Sequence, residues 1–240
     1  MSTDGLTVEQ VGAVVRIHVD AGEGNLFTSA MTLRLTELLQ RPPADAHVLH
    51  LSAAGPQFCM GRAPFRSDAG ELREDVTAIV ELVDALGRTP LVTVAEVQGD
   101  AAGFGVGLVA LSDVAIAAPS AHVSFPEVDA GFAPALVLTW LADLVGRRRA
   151  FWLAATGIRI PAREACEMGL LTSVVDDPSE LSSATRAAIE LLRSKPPRVH
   201  ADIKELLRLY AAVPESTRGP IALDRLAFGA LRRSRAGASL

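Results

Sequence analysis

Three stretches of the chain combine residue types and spacings that suit acid–base or oxyanion chemistry. The first is Gly99-Asp-Ala-Ala-Gly103-Phe-Gly105-Val-Gly107, set between an apolar run and a helix-forming one. A glycine-rich turn that enters a helix places backbone N–H groups at the helix start, where they can hold an anion. A nucleotide phosphate is the first anion to consider, but no Gly-Lys-Ser/Thr ending follows, and the segment lies far from any first strand. Two readings stay open: close packing of helix on strand, or backbone donors aimed at an oxyanion. The second stretch is Phe58-Cys-Met-Gly-Arg62, after a Gly-Pro turn, whose backbone can present donors in the same way. Cys59 reads as a small buried residue, because no base neighbours it in sequence. The third stretch, Pro126-Glu127-Val-Asp129, offers two carboxylates. Either suits a general base, and an acid after a proline is equally an ordinary surface residue.

These segments need elements to hold them. Apolar and polar residues alternate over 6–8 and 14–19 around Gly12, which predicts an opening β-hairpin. A loop over 20–25 leads to an amphipathic helix capped by Thr28 or Ser29, with Met31, Leu35, Leu38 and Leu39 on one face. A strand at 47–51 runs into a loop at 52–62. Helical spacing over 71–86, through Leu72, Val76, Ile79, Val80 and Val83, ends at Gly87. Strands follow at 91–97, 114–117 and 122–125, then helical patterns at 136–145 and 148–155. Pro161 opens another helix, and 173–175 reads as a last strand. From Leu181 the pattern is helical, broken at Pro196-Pro197, Pro214 and Pro220. Alternating strands and helices with a helical tail predict an α/β core with an α appendage.

Composition narrows the function classes. With 49% hydrophobic and 21% charged residues, 240 residues can bury a substantial core. A net charge of −5 and only 5% aromatics argue against nucleic-acid binding. Two cysteines make neither a disulfide framework nor a zinc site, and no signal-like segment opens the chain, so a cytoplasmic protein is expected. The most apolar stretch, 101–118, is interrupted by Asp113 and by glycines and is too short to span a membrane.

In order along the chain come the 52–62 strand–loop, the run from Val97-Gln-Gly99 to Leu111-Ser-Asp113, and Ser124-Phe-Pro-Glu127-Val-Asp-Ala-Gly131. Gly146-Arg-Arg-Arg-Ala150, Ala154-Ala-Thr-Gly157 and Ala162-Arg-Glu-Ala-Cys-Glu-Met-Gly-Leu170 follow. This combination resembles the crotonase (enoyl-CoA hydratase/isomerase) superfamily over roughly residues 6 to 230. The resemblance implies a crotonase-like ββα spiral core over 1–180 that carries an acyl-CoA site. It also implies a C-terminal α-helical region over 181–240 serving oligomerisation and a lid, in a homotrimer or dimer of trimers. The implied substrate is an acyl thioester of CoA or of acyl carrier protein. No metal and no cofactor beyond the CoA of the substrate is implied, and no nucleic-acid or membrane partner.

By position the resemblance assigns the oxyanion hole to the amides of Met60 and Phe104. Met60, Gly61, Arg62 and Ala63 would lie along CoA, and Lys204 matches a CoA-region lysine. Hydratases of the family place one glutamate at the position of Gly107 and another at that of Glu127; this chain keeps only Glu127. Keeping the later glutamate alone is similar to the family's isomerases and implies a 3-enoyl to 2-enoyl shift. Asp129 is a secondary acid candidate. Phe104 stands where glycine or alanine is usual, which would narrow the acyl pocket, and Ala63 stands where aspartate is often found. Asp113 looks structural by the same resemblance, and Glu96 is expected to meet an arginine or a subunit contact. Arg147, Arg148 and Arg149 read as a solvated helix start. Hydration, a polyketide-type decarboxylation and a catalytically silent binding role remain as alternatives. For decarboxylation, His122 and His200 are weighed, but the helix around 223–228 carries no histidine.

Overall fold

The computed structural model describes residues 2–3, 5–64 and 69–237. Chain order gives β1 (Ser2–Thr3), β2 (Leu6–Val11), β3 (Val14–Val19), α1 (Ser29–Gln40), β4 (Val48–Ala53), β5 (Gln57–Cys59) and α2 (Ala69–Arg88). Then come β6 (Val92–Val97), β7 (Asp100–Ala102), α3 (Phe104–Ala110), β8 (Val114–Ala117), β9 (His122–Ser124), α4 (Leu138–Val145) and α5 (Arg147–Thr156). The remainder is β10 (Ile160–Pro161), α6 (Ala162–Glu167), β11 (Ser173–Val174), α7 (Leu181–Arg193), α8 (Pro197–Ala212) and α9 (Glu215–Gly237).

Two sheets carry the mixed α/β architecture. The larger has the order β1-β2-β3-β4-β6-β8-β11, an antiparallel hairpin edge joined to parallel strands. Its interior strand β6 is buried at every residue but Glu96, as expected for a parallel strand covered on both faces. The smaller sheet, β10-β9-β7-β5, is parallel except at β10. On one side, α1 buries Met31, Leu35 and Leu39, and Thr28 caps it by accepting the Met31 N–H at 3.2 Å. On another, α7 buries Leu181, Thr185 and Ile189; Leu181 packs with Ile116, and Ile189 with Val48 and Val94. The chain divides into two compact units between Ala201 and Asp202. Within the second, Arg225 pairs with Glu205. No helix among the described residues is long and apolar enough to cross a membrane.

Several local expectations change. Residues 57–59 and 100–102 are strands, not loops, because each finds a parallel partner in the other. Gly87 does not stop α2, which continues through it to Arg88. The buried stripe of α2 is Asp75, Ala78, Ile79, Leu82, Ala85 and Leu86, while Leu72 and Val80 are exposed. A polar Asp75 at its head hides that stripe from a hydrophobicity pattern. Pro161 precedes α6 as its N-cap instead of opening it. Pro220 lies inside α9 without ending it. Close to the helix start, its missing N–H leaves only the carbonyl of exposed Ser216 without its usual intrahelical partner.

Candidate active site

The β5–β7 pairing aligns Gln57 with Asp100 and Cys59 with Ala101, so the two glycine-bearing stretches lie side by side. Their contact is backbone on backbone. A Cβ on Gly99 would fall 1.9 Å from the Pro56 carbonyl oxygen, and one on Gly105 2.0 Å from that of Cys59. The packing reading of this run holds at Gly99 and Gly105, and the residues between them lead into the start of α3. Cys59 is buried, with its thiol pushed up to about 12 by desolvation, and is inert.

Phe104 is the first residue of α3, so its N–H has no intrahelical acceptor. Its ring packs on Phe27, centroids 5.3 Å apart. Gly103 before it adopts φ 49°, ψ −111°, a conformation closed to other residues. Against this glycine rests the carboxylate of Glu127, which projects from a short 3₁₀ segment, Pro126–Ala130. A Cβ on Gly103 would meet Glu127 Oε1 at 2.6 Å. The Oε2 atom is sealed from solvent and accepts no hydrogen bond among the described residues. Burial raises the Glu127 pKa, opposed in part by a bond from its own backbone N–H.

Beside Gly103 and Phe104 opens a pocket of about 340 Å³, its mouth included. Ile79, Leu82 and Leu86 of α2, Leu111 and the Trp140 indole wall it, and every lining residue is apolar or glycine. Gly107 forms part of that wall; a Cβ there would sit 3.7 Å from the Trp140 ring. Phe104 also lines the pocket, as its side chain predicts.

The neighbouring loop differs from expectation at Met60. Its N–H is donated to the Gly24 carbonyl at 2.7 Å, so in this conformation it is already engaged within the protein. The next residues bridge to Phe27: Phe27 N–H reaches the Gly61 carbonyl at 3.0 Å, and Ala63 N–H reaches the Phe27 carbonyl at 2.9 Å. Backbone polar groups alternate sides along an extended segment, so the amide of Arg62 points away from Phe27. The Arg62 side chain turns towards α1 and α2 and does not extend along the loop. Nη2 donates to Ser29 Oγ at 2.8 Å and Nη1 to the Asp75 carbonyl at 3.0 Å. Gly61, with φ 123°, lies beside the end of β7, where its Cβ would be 3.9 Å from the Ala102 oxygen.

The other candidates have different surroundings. Asp129 is exposed and lies against Gly157, where a Cβ would come 3.3 Å from its Oδ2. Lys204 belongs to the second unit. Asp113 ties β6 to β8 by accepting the Thr93 N–H at 2.7 Å. Glu96 pairs with His50 at 3.1 Å, not with an arginine. His200 meets His47 at 2.9 Å, and His122 Nδ1 meets the Ser120 carbonyl at 2.9 Å. Sequence reasoning misses Ser29, Phe27, Asp75 and Trp140, which no motif marks.

Residues 9–228 match the family model described as enoyl-CoA hydratase/isomerase. Similar proteins include enoyl-CoA hydratase ACTT6 of Alternaria alternata, 32% identical over 213 residues, which cover 85% of this chain and 70% of that one. The 1,2-epoxyphenylacetyl-CoA isomerase of Escherichia coli is 33% identical over 177 residues, covering 70% and 68%. Among solved structures, an enoyl-CoA hydratase from Bacillus anthracis superposes with TM-score 0.83 at 26% identity, over 94% of this chain and 90% of that one.

Proposed function

The chain belongs to the enoyl-CoA hydratase/isomerase family, and from that premise we propose that it moves the double bond of a 3-enoyl-CoA to the 2-position, with Glu127 as the proton carrier. One arrangement supports this reading above the others: a half-buried carboxylate resting on Gly103, the glycine that lines an apolar pocket in which Gly107 supplies no second acid.

In this reading the acyl chain occupies the apolar pocket and the thioester oxygen meets the Phe104 N–H. The second donor falls to the amide of Arg62, the residue after Gly61, since that of Met60 is bonded to Gly24. Glu127 takes the proton from C2. The electron pair delocalises over the 3,4 double bond and the thioester, and the oxygen becomes enolate-like. Two preorganised donors stabilise that charge; loss of one such donor typically costs about 3–4 kcal/mol in transition-state stabilisation. The same carboxyl then returns the proton to C4, leaving the 2,3 double bond. A carboxyl whose pKa is raised by burial is a better base and still returns the proton. Hydration needs a group to orient water as well as one to manage a proton, and the walls of this pocket offer no such group.

The test is incubation of wild type and Glu127→Gln with 3-enoyl-CoA and with 2-enoyl-CoA in deuterated water, followed by mass spectrometry. Bond migration without added water is expected, falling by about 10²–10⁴-fold in the variant. Addition of water by the wild type overturns the isomerase reading, and equal turnover by the variant removes Glu127 from it.

A further inference from the structure

Building on the assignment of the Arg62 amide as an oxyanion donor, we propose that Ser29 and Asp75 are positioning residues that aim this amide by gripping the side chain of Arg62. The three groups form one directional chain. Arg62 Nη2 donates to Ser29 Oγ at 2.8 Å, and Ser29 Oγ donates to Asp75 Oδ1 at 2.5 Å. Arg62 Nη1 closes the ring on the Asp75 backbone carbonyl at 3.0 Å.

Neither partner has a local reason to be there. Thr28 already caps α1, so the Ser29 hydroxyl is not needed for capping. Asp75 is 3% exposed, on the face of α2 that otherwise carries alanine, isoleucine and leucine. Ion pairs removed from water contribute little net stability, because desolvation offsets their attraction, and an apolar side chain would serve the core as well. Burial costs the Arg62 guanidinium too: it lowers its pKa, with Asp75 opposing. What the cluster does supply is direction.

The loop at 60–63 is held on one side by Gly24 and Phe27 through its backbone. On the helix side, the Arg62 side chain fastens residue 62 to α1 and α2. A donor performs only when held within about 0.5 Å of its productive position. Since Arg62 offers both the amide and the anchor, restraining its guanidinium restrains its backbone.

The experiment compares Ser29→Ala, Asp75→Asn and Arg62→Lys with wild type in turnover of 3-enoyl-CoA, in thermal melting, and in the absorption of bound 4-dimethylaminocinnamoyl-CoA. That chromophore shifts to the red when its thioester oxygen is polarised. We expect kcat to fall about 10- to 100-fold with KM little changed, less than the 10²–10³-fold typical of deleting a donor outright. The red shift should shrink in parallel while the variants still melt cooperatively. Arg62→Lys should not restore function, because one ammonium cannot replace a two-pronged fork. Ser29→Ala keeps the test decisive if Asp75→Asn folds poorly. Full kcat and an undiminished red shift in folded Ser29→Ala would overturn the positioning role while leaving the oxyanion hole intact. No red shift in the wild type would instead overturn the oxyanion assignment, and this inference with it.

Discussion

The two strand-to-turn segments that meet in the small sheet, 57–63 and 100–106, have the same topological task and are held by different means. Each leaves a short parallel strand of the same pair, and the second then lines the apolar pocket through Gly103 and Phe104. The second enters a helix at once, and glycines without side chains lock it: Gly99 on Pro56, Gly105 on Cys59, Gly103 under Glu127. The first enters no helix directly and is held by a bridge to Phe27 and by the side chain of Arg62. Backbone packing cannot be loosened without unfolding its surroundings, whereas side-chain anchoring can. The two segments should therefore respond differently to mutation: stability and activity fall together on one, activity alone on the other.

The largest effect belongs to Gly105→Ala. Its Cβ would enter the Cys59 carbonyl at 2.0 Å, backbone against backbone, so no rotamer change relieves it. A loss of about 3 kcal/mol or more is expected, roughly 6–12 °C in Tm for a chain of this size. A melting scan with less than about a 2 °C drop would show that the strands separate easily, and the contrast between the segments would fail. Gly103→Ala comes next. Residue 103 would be held at φ 49°, ψ −111°, a strain of about 1–3 kcal/mol. Its Cβ would also push Glu127 Oε1 from a 2.6 Å contact, but a side-chain end can swing away. The protein should fold, and kcat should drop about 10²-fold, the cost of displacing a reacting group by about 1 Å. Wild-type kcat in this variant would mean that Glu127 does not work from its place on Gly103.

The same contrast explains which parts of the site are legible in the sequence. Glycine spacing announces close backbone packing, so the 99–107 segment stands out from residue order alone, whereas Glu127 after Pro126 stands out only through the family resemblance. Residue order also marks a cap at Thr28 or Ser29, which the structure places on Thr28, and the face of Met31, Leu35, Leu38 and Leu39, of which Leu38 is only partly buried. Which side an amide faces is not written in residue identity. Met60 looks as suitable a donor as Arg62 until the Gly24 bond and the Phe27 bridge fix the alternation. Three-residue strands such as Gln57–Cys59 have too short a pattern to recognise and exist through their partner. Asp75 is invisible for a related reason. A buried carboxylate among apolar neighbours makes sense only with Ser29 and Arg62 beside it, and Ser29 lies far away in the chain.

The smallest expected effect concerns the carboxylate that rests on the second segment. Burial raises the folded-state pKa of Glu127 above its unfolded value. Below the ordinary carboxylate pKa of 4.5 both states are protonated, and the site costs the fold nothing. As pH rises through the folded value, the protein must bury an anion that the unfolded chain would expose to water, and that stability is lost. Glu127→Gln carries no charge at any of these pH values. Its Tm should match that of wild type near pH 4 and exceed it by a few degrees at pH 7–8, in the same preparation whose turnover has collapsed. A stabilised but inactive variant would identify Glu127 as a group kept for chemistry against the interest of the fold. Parallel Tm curves for the two proteins from pH 4 to 8 would show that the carboxylate carries no desolvation cost, and its selection as the base would then rest on position alone.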